Sequence, residues 1–151
     1  MKVYVASSWR NPYQQAVVAQ LRDDGHEVYD FKNPGTDRHG SGWREIDPEP
    51  GKWLSNVPKF IERLEHPRAI AGFESDMNAL KEADACVYVL PCGVSASWEA
   101  GYAVGAGKLT LVYIPELREP ELMLKMAALI TNDFTEVRTA LREYPNRKRP
   151  D

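Results

Sequence analysis

ACVYVLPCGVSASWEAGYAVGAG, from Ala85 to Gly107, carries one charged residue, Glu99, in a chain that is 27% charged. A run so poor in ionisable groups is buried. It has about the length of a membrane span, but Pro91, Gly93, two serines and Glu99 divide it. It reads as a buried strand (Ala85–Leu90), a loop (Pro91–Ser97) and a helix (Trp98–Gly107) of small apolar residues packed on a sheet. A lone carboxylate there is costly unless the protein uses it, so Glu99 is the first candidate for chemistry.

The flanking sequence repeats the same alternation. Val3–Ala6 is a short apolar run fit for a buried strand. Asn11 can cap a following helix with Pro12 at its first position; Ala16, Val17, Val18 and Leu21 form its apolar face, and Gly25 ends it. His26–Phe31 reads as a second strand and Leu109–Ile114 as a fourth. Helices are expected over Asn56–Leu64, Gly72–Ala83, Glu119–Leu129 and Phe134–Tyr144, with a short fifth strand at Leu129–Thr131. Such alternation gives an α/β fold: one flavodoxin-like, Rossmann-like domain with a parallel sheet of four to five strands and helices on both faces. Residues 1–145 form that domain, and 146–151 form a basic, solvated tail. Between Lys32 and Ser55 the chain is rich in Gly, Pro and Asp, the composition of a functional loop or lid or of a disordered insertion; Trp43 and Trp53 argue against pure disorder.

Composition narrows the function classes. The 151 residues carry a net charge of -3, with no electrostatic footprint for nucleic acid. The start lacks the apolar run of a signal peptide, so no membrane is expected and the expected location is cytoplasmic. Cys86 and Cys92 are too few for a disulfide framework or a tetrahedral zinc site, and the three histidines are far apart, so no metal or cofactor is expected.

In α/β sheets ligands bind beyond the carboxyl ends of the strands, here Ser7–Arg10, the loop after Phe31, and Pro91–Ser97. Two carboxylates lie near this edge in unusual settings. On the helix containing Asp76, the apolar arc holds Phe73, Met77, Leu80 and Ala83. Asp76 falls within it, between Leu80 and Ala83, either as a satisfied structural group or aimed into a site. If Ser97 caps the helix that follows, Glu99 is its second residue. The helix dipole would favour the charged form there and burial would oppose it. Gly101, Gly105 and Gly107 follow the turn rather than form it, so they read as packing glycines and not as a dinucleotide fingerprint. Paired carboxylates suit glycosidic bond cleavage, one attacking the anomeric carbon and the other assisting the leaving group or holding the sugar. Ser95 and Ser97 read as loop and cap residues whose hydroxyls could also hold sugar or phosphate oxygens.

Three segments together resemble the nucleoside 2-deoxyribosyltransferase family, which includes deoxynucleoside 5′-monophosphate N-glycosidases. They are Val3–Arg10 (VYVASSWR), Asp76–Asp84 (DMNALKEAD), and Ser97–Ala103 (SWEAGYA) followed by Gly107-Lys108. The resemblance implies that Glu99 is a nucleophile forming a covalent glycosyl intermediate and that Tyr4 orients it. Asp76 then takes the place of the acidic residue near base and sugar. Ser7, Ser8, Trp9, Arg10, Gly93, Ser95 and Ser97 line the substrate site, with Trp9 beside the base and Arg10 on the phosphate side. Gly93 stands where transferases of the family carry Asp and monophosphate hydrolases often carry Ser. The resemblance also implies a small-molecule nucleoside or nucleotide substrate and a homo-oligomer. A TIR-like NAD hydrolase, or a non-catalytic nucleotide-binding sensor on the same fold, is the alternative.

Overall fold

The computed structural model describes residues 1–34, 43–46 and 57–147. The chain divides into two compact units, Met1–Asp30 with Glu82–Asp151, and Phe31–Lys81.

The first unit holds one parallel sheet of β1 (Lys2–Ala6), β2 (Glu27–Tyr29), β3 (Ala85–Val89), β4 (Leu109–Tyr113) and β5 (Leu129–Thr131), in the order β2-β1-β3-β4-β5. This is the flavodoxin-like arrangement expected from the sequence. Residues of β3 are buried on both faces, which is why the strand reads as an unbroken apolar run. Alternate side chains face opposite layers. Val3, Val5, Ala85, Val87, Val89 and Leu111 face α1 (Gln14–Asp23) and α6 (Phe134–Arg147), whose Val17, Val18, Leu21, Val137 and Leu141 complete the core.

The intervening strand residues form two rows on the other face. Tyr29, Tyr4, Cys86 and Thr110 stand side by side, and so do Ala6, Tyr88, Val112 and Ile130. Helix α5 (Val94–Gly105) packs against β1, β3 and β4. It presents Ala96, Ala100 and Ala103 as buried residues.

Two helix starts differ from expectation. α1 begins at Gln14 rather than Pro12, yet Asn11 still caps it, since Asn11 Oδ1 accepts from the amides of Tyr13 (2.7 Å) and Gln14 (3.1 Å). α5 begins at Val94 with Gly93 as its cap, a full turn earlier than Ser97. Ser97 is inside the helix, where its hydroxyl bonds back to the Gly93 carbonyl at 3.2 Å instead of capping free amides. Gly25 does end α1, in a left-handed conformation at φ 83° that suits glycine. The helix expected over Glu119–Leu129 is a short 3-10 turn, Leu122–Met126.

The second unit contains α2 (Trp43–Ile46), α3 (Val57–Leu64) and most of α4 (Pro67–Glu82). α4 begins five residues before the expected Gly72, because Pro67 is well placed in a first turn and Gly72 is tolerated inside. The lid expected over Lys32–Ser55 falls largely on 35–42 and 47–56, outside the described residues, as does most of the 146–151 tail.

Candidate active site

The carboxyl edge of the sheet is tied together by its own side chains. Ser7, immediately after β1, is buried and donates to the Val89 carbonyl at 2.9 Å. Asn11 Nδ2 donates to the carbonyls of Val89 (2.9 Å) and Pro91 (2.8 Å). The loop after β1 is thereby fastened to the loop after β3 while the opposite end of the same amide caps α1. Ser8 is half-buried and accepts from the Arg10 amide at 3.2 Å; Trp9 and Arg10 are exposed beside it. The expected β1 loop residues thus occupy one bound turn at the strand's end.

Glu99 lies in the second turn of α5, not the first. Its backbone amide is therefore no longer one of the free donors at the helix start, and free amides do not favour its charged form there. Its setting comes from the sheet instead. The Glu99 Oε2 atom and the Tyr4 hydroxyl oxygen are both shielded from solvent. Tyr4 is fully buried, with its ring stacked on Tyr29 at 5.5 Å between centroids. Cys86, beside Tyr4 in register, registers the same carboxylate. Burial first, and then the Glu99 charge, push its thiol up to about 12. The Cys92 thiol is likewise raised, mainly by burial, with Glu99 adding to it. The carboxylate is thus within electrostatic reach of Cys86, which stands beside Tyr4, and of Cys92 in the β3 loop.

The other expected site residues divide. Gly93 and Ser95 are exposed at the start of α5. Ser97 turns to the opposite flank, where its hydroxyl lies 2.7 Å from that of Tyr88. There it borders a cleft of about 350 Å³ between α5 and the segment after β4, with Tyr88, Cys92, Gly101, Arg118 and Met123 among its walls and Glu99 not among them. Burial and hydrogen bonding to Cys92 push the Tyr88 hydroxyl up to about 12, so it is a neutral donor. Asp76 is half-buried on α4, in the second unit. Around it Leu80 is fully buried, Ala83 buried and Met77 half-buried, while Phe73, expected on the same arc, is exposed.

Sequence reasoning missed one buried carboxylate. Asp30, just past β2, accepts from Gln14 Nε2 (2.8 Å) and Gln15 Nε2 (3.1 Å), and Gln14 is itself fully buried. A signal was present: Gln14 occupies the first position of the stripe completed by Val17, Val18 and Leu21, where an apolar residue would be ordinary.

Among the described residues no group of three or more His, Cys, Asp or Glu could hold a metal, and no helix is long and apolar enough to cross a membrane.

No family model matches the chain, and no curated protein does. Among solved structures, the chain is similar to a 2-deoxyribosyltransferase from the psychrotolerant bacterium Bacillus psychrosaccharolyticus, characterised as a biocatalyst for the synthesis of antiviral and antitumoral nucleosides. The match has a TM-score of 0.65 at 20% identity and covers 91% of this chain and 90% of the other. Over nine-tenths of its length, the chain therefore shares the fold of a 2-deoxyribosyltransferase.

Proposed function

We propose that this chain cleaves the N-glycosidic bond of a (deoxy)nucleoside or its 5′-monophosphate. The observation that supports the reading is the Glu99 carboxylate, one oxygen shielded from solvent, lying close enough to the buried Cys86 beside Tyr4 for its charge to raise that thiol. The shared fold with a deoxyribosyltransferase supports it.

In this reading the Glu99 carboxylate attacks the anomeric carbon as the bond to the base nitrogen breaks. The bonding electron pair leaves with the base, which takes up a proton. A glycosyl ester on Glu99 results. Water then opens the ester to the free sugar, or a second base opens it to a new nucleoside, and Glu99 is restored as a carboxylate. Tyr4 is the positioning residue for Glu99. Asp76 is the acidic partner near base and sugar. Ser7, Ser8, Trp9 and Arg10 hold the substrate on the β1 side, Arg10 toward any 5′-phosphate, while Gly93 and Ser95 contribute from the β3 side.

The test is a panel of ribo- and deoxynucleosides and their monophosphates, each with and without an acceptor base, with separation of the products. Base release without acceptor indicates hydrolysis, and exchange only with acceptor indicates transfer. Both are expected to vanish in Glu99→Ala. Silence across the panel, or activity that survives in Glu99→Ala, would refute the proposal. Binding that persists in Glu99→Ala with no turnover in wild type would mark a sensor instead.

A further inference from the structure

The cleft between α5 and the segment after β4 is left unused by the proposed reaction. Its volume of about 350 Å³ falls in the range of small-molecule sites, and Glu99 is not among its walls. The α5 side is smooth: Ala100, Gly101 and Val104 carry nothing larger than a valine side chain, and a methyl group added at Gly101 would meet nothing within 4 Å. The side formed by the 3-10 turn is soft. Met123 and Met126 are 64% and 51% exposed there, and thioethers make favourable contacts with aromatic rings. Where Tyr88 rises from β3 the cleft turns polar, with the Tyr88 and Ser97 hydroxyls 2.7 Å apart and the Cys92 thiol hydrogen-bonded to Tyr88.

Arg118 and Glu121 also border the cleft, and among the described residues neither forms an ion pair within the chain. They differ in where their charge is felt. The Arg118 charge acts on both Tyr88 and Cys92, opposing the burial that raises them, whereas Glu121 is not among the groups acting on either. The guanidinium therefore stands within reach of the polar end. We propose that this cleft binds a small aromatic carboxylate, with its ring between α5 and the two methionines and its carboxylate on Arg118. A guanidinium offers paired N–H donors at the spacing of two carboxylate oxygens. The Tyr88 hydroxyl adds a neutral donor beside it, because the Ser97 hydroxyl is engaged with the Gly93 carbonyl at 3.2 Å and makes no demand on the phenol for a proton acceptor. One negative charge suits the cleft better than two, since Glu121 on the same border repels a second. The smooth wall of α5 accepts a flat ring without displacing a side chain. This inference rests on the cleft and not on the proposed reaction.

Isothermal titration calorimetry of the full-length chain tests it, with phenylacetate, phenethyl alcohol, phenethylamine, acetate and phenyl phosphate as probes and circular dichroism to confirm folding of each variant. Phenylacetate is expected to bind one site per chain with a dissociation constant below about 1 mM, the range open to so small a ligand. The alcohol and the amine keep the ring, and acetate keeps only the charge; each is expected to bind about tenfold more weakly or worse. Arg118→Gln should weaken phenylacetate about tenfold or more and leave the alcohol unchanged. Gly101→Leu, at an exposed helix position with open space, should fill the cleft and weaken both. Glu99→Ala should leave phenylacetate affinity unchanged, which separates this cleft from the proposed reaction centre. Absence of saturable phenylacetate binding at about 10 mM overturns the inference. So does equal affinity for phenethylamine, unchanged phenylacetate affinity in folded Arg118→Gln, or loss of binding in Glu99→Ala. Tighter binding of phenyl phosphate than of phenylacetate would overturn the assignment to a carboxylate.

Discussion

Removing only the hydroxyl of Tyr4 separates a positioning role from a packing role. The Tyr4 ring is fully buried and stacked on Tyr29, and Tyr4→Phe keeps that contact. What it deletes is one O–H group in the row beside Cys86, whose thiol feels the Glu99 charge. A hydrogen bond to a charged acceptor contributes about 1.5–3 kcal/mol. At about 1.4 kcal/mol per factor of ten, kcat/KM should fall roughly 10- to 150-fold. Melting should shift by about 3–12 °C if that bond is already made in the free enzyme, because a chain of this size moves roughly 2–4 °C per kcal/mol. Glu99→Gln keeps the side chain's shape and should cost on the order of 10³-fold or more, as loss of a nucleophile does. The decisive measurement is base release by the double variant. If Tyr4 acts through Glu99, Tyr4→Phe has no further effect once Glu99 is glutamine. Equal fold-losses from Tyr4→Phe in both backgrounds, or no loss in the wild-type background, would refute the positioning role.

Asn11→Ala removes two bonds to the β3 loop and two to the start of α1, and should destabilise the fold by about 1–3 kcal/mol in thermal or urea unfolding. Asn11→Asp keeps the cap but turns a carboxylate on the Val89 and Pro91 carbonyls, so it should be no more stable than alanine; wild-type stability would refute the assignment. With the Cys86 thiol pushed up to about 12 in a fully buried position, roughly one molecule in ten thousand carries the thiolate at pH 8, so Ellman titration of the native chain should find Cys92 at most, and Cys86 only after unfolding. The Arg138 guanidinium, donating at 2.6 Å to each oxygen of Asp24, holds that carboxyl below its ordinary 3.8. The bridge therefore stabilises fully above that value and is lost as pH falls through the lower folded value, so Asp24→Asn should be less stable than wild type at pH 7 and lose less on acidification below about pH 4.

The fold was legible because its signals are local and periodic. Val3–Ala6 and Ala85–Leu90, and the centre of Leu109–Ile114, are buried on both faces and therefore read as apolar runs. Topology followed from crossover handedness. Helix starts were less legible. Ser97 has the chemistry of a cap, but a serine inside a helix can satisfy its hydroxyl on the carbonyl four residues back, and Gly93 could serve as cap without any side chain. Gly101 and Gly105 were misread for a related reason. Smallness says that a close approach is available, not which neighbour makes it, and only the three-dimensional placement shows the alanines on the sheet side. Asp30 was hidden because its partners, Gln14 and Gln15, sit on another element with no sequence link to it.

The early start of α5 also redistributes the candidate substrate contacts. At about 100° per residue, Ser95 lies about 40° from Glu99 around the helix, one turn nearer its N-terminus, whereas Ser97 lies about 160° away. The structure agrees: Ser97 is engaged with Tyr88 beside the β4 cleft, while Glu99 acts on Cys86 and its row. A substrate held at Glu99 would therefore meet the β3 loop through Gly93 and Ser95, with the free amides of the first turn of α5 beside them. Ser97→Ala should then change KM far less than Ser95→Ala. A side chain at Gly93, where open space surrounds the backbone, should alter substrate choice without unfolding the chain. Specificity in this fold would then reside in the residues just before the helix, and Glu99 one turn later would remain indifferent to the base it releases.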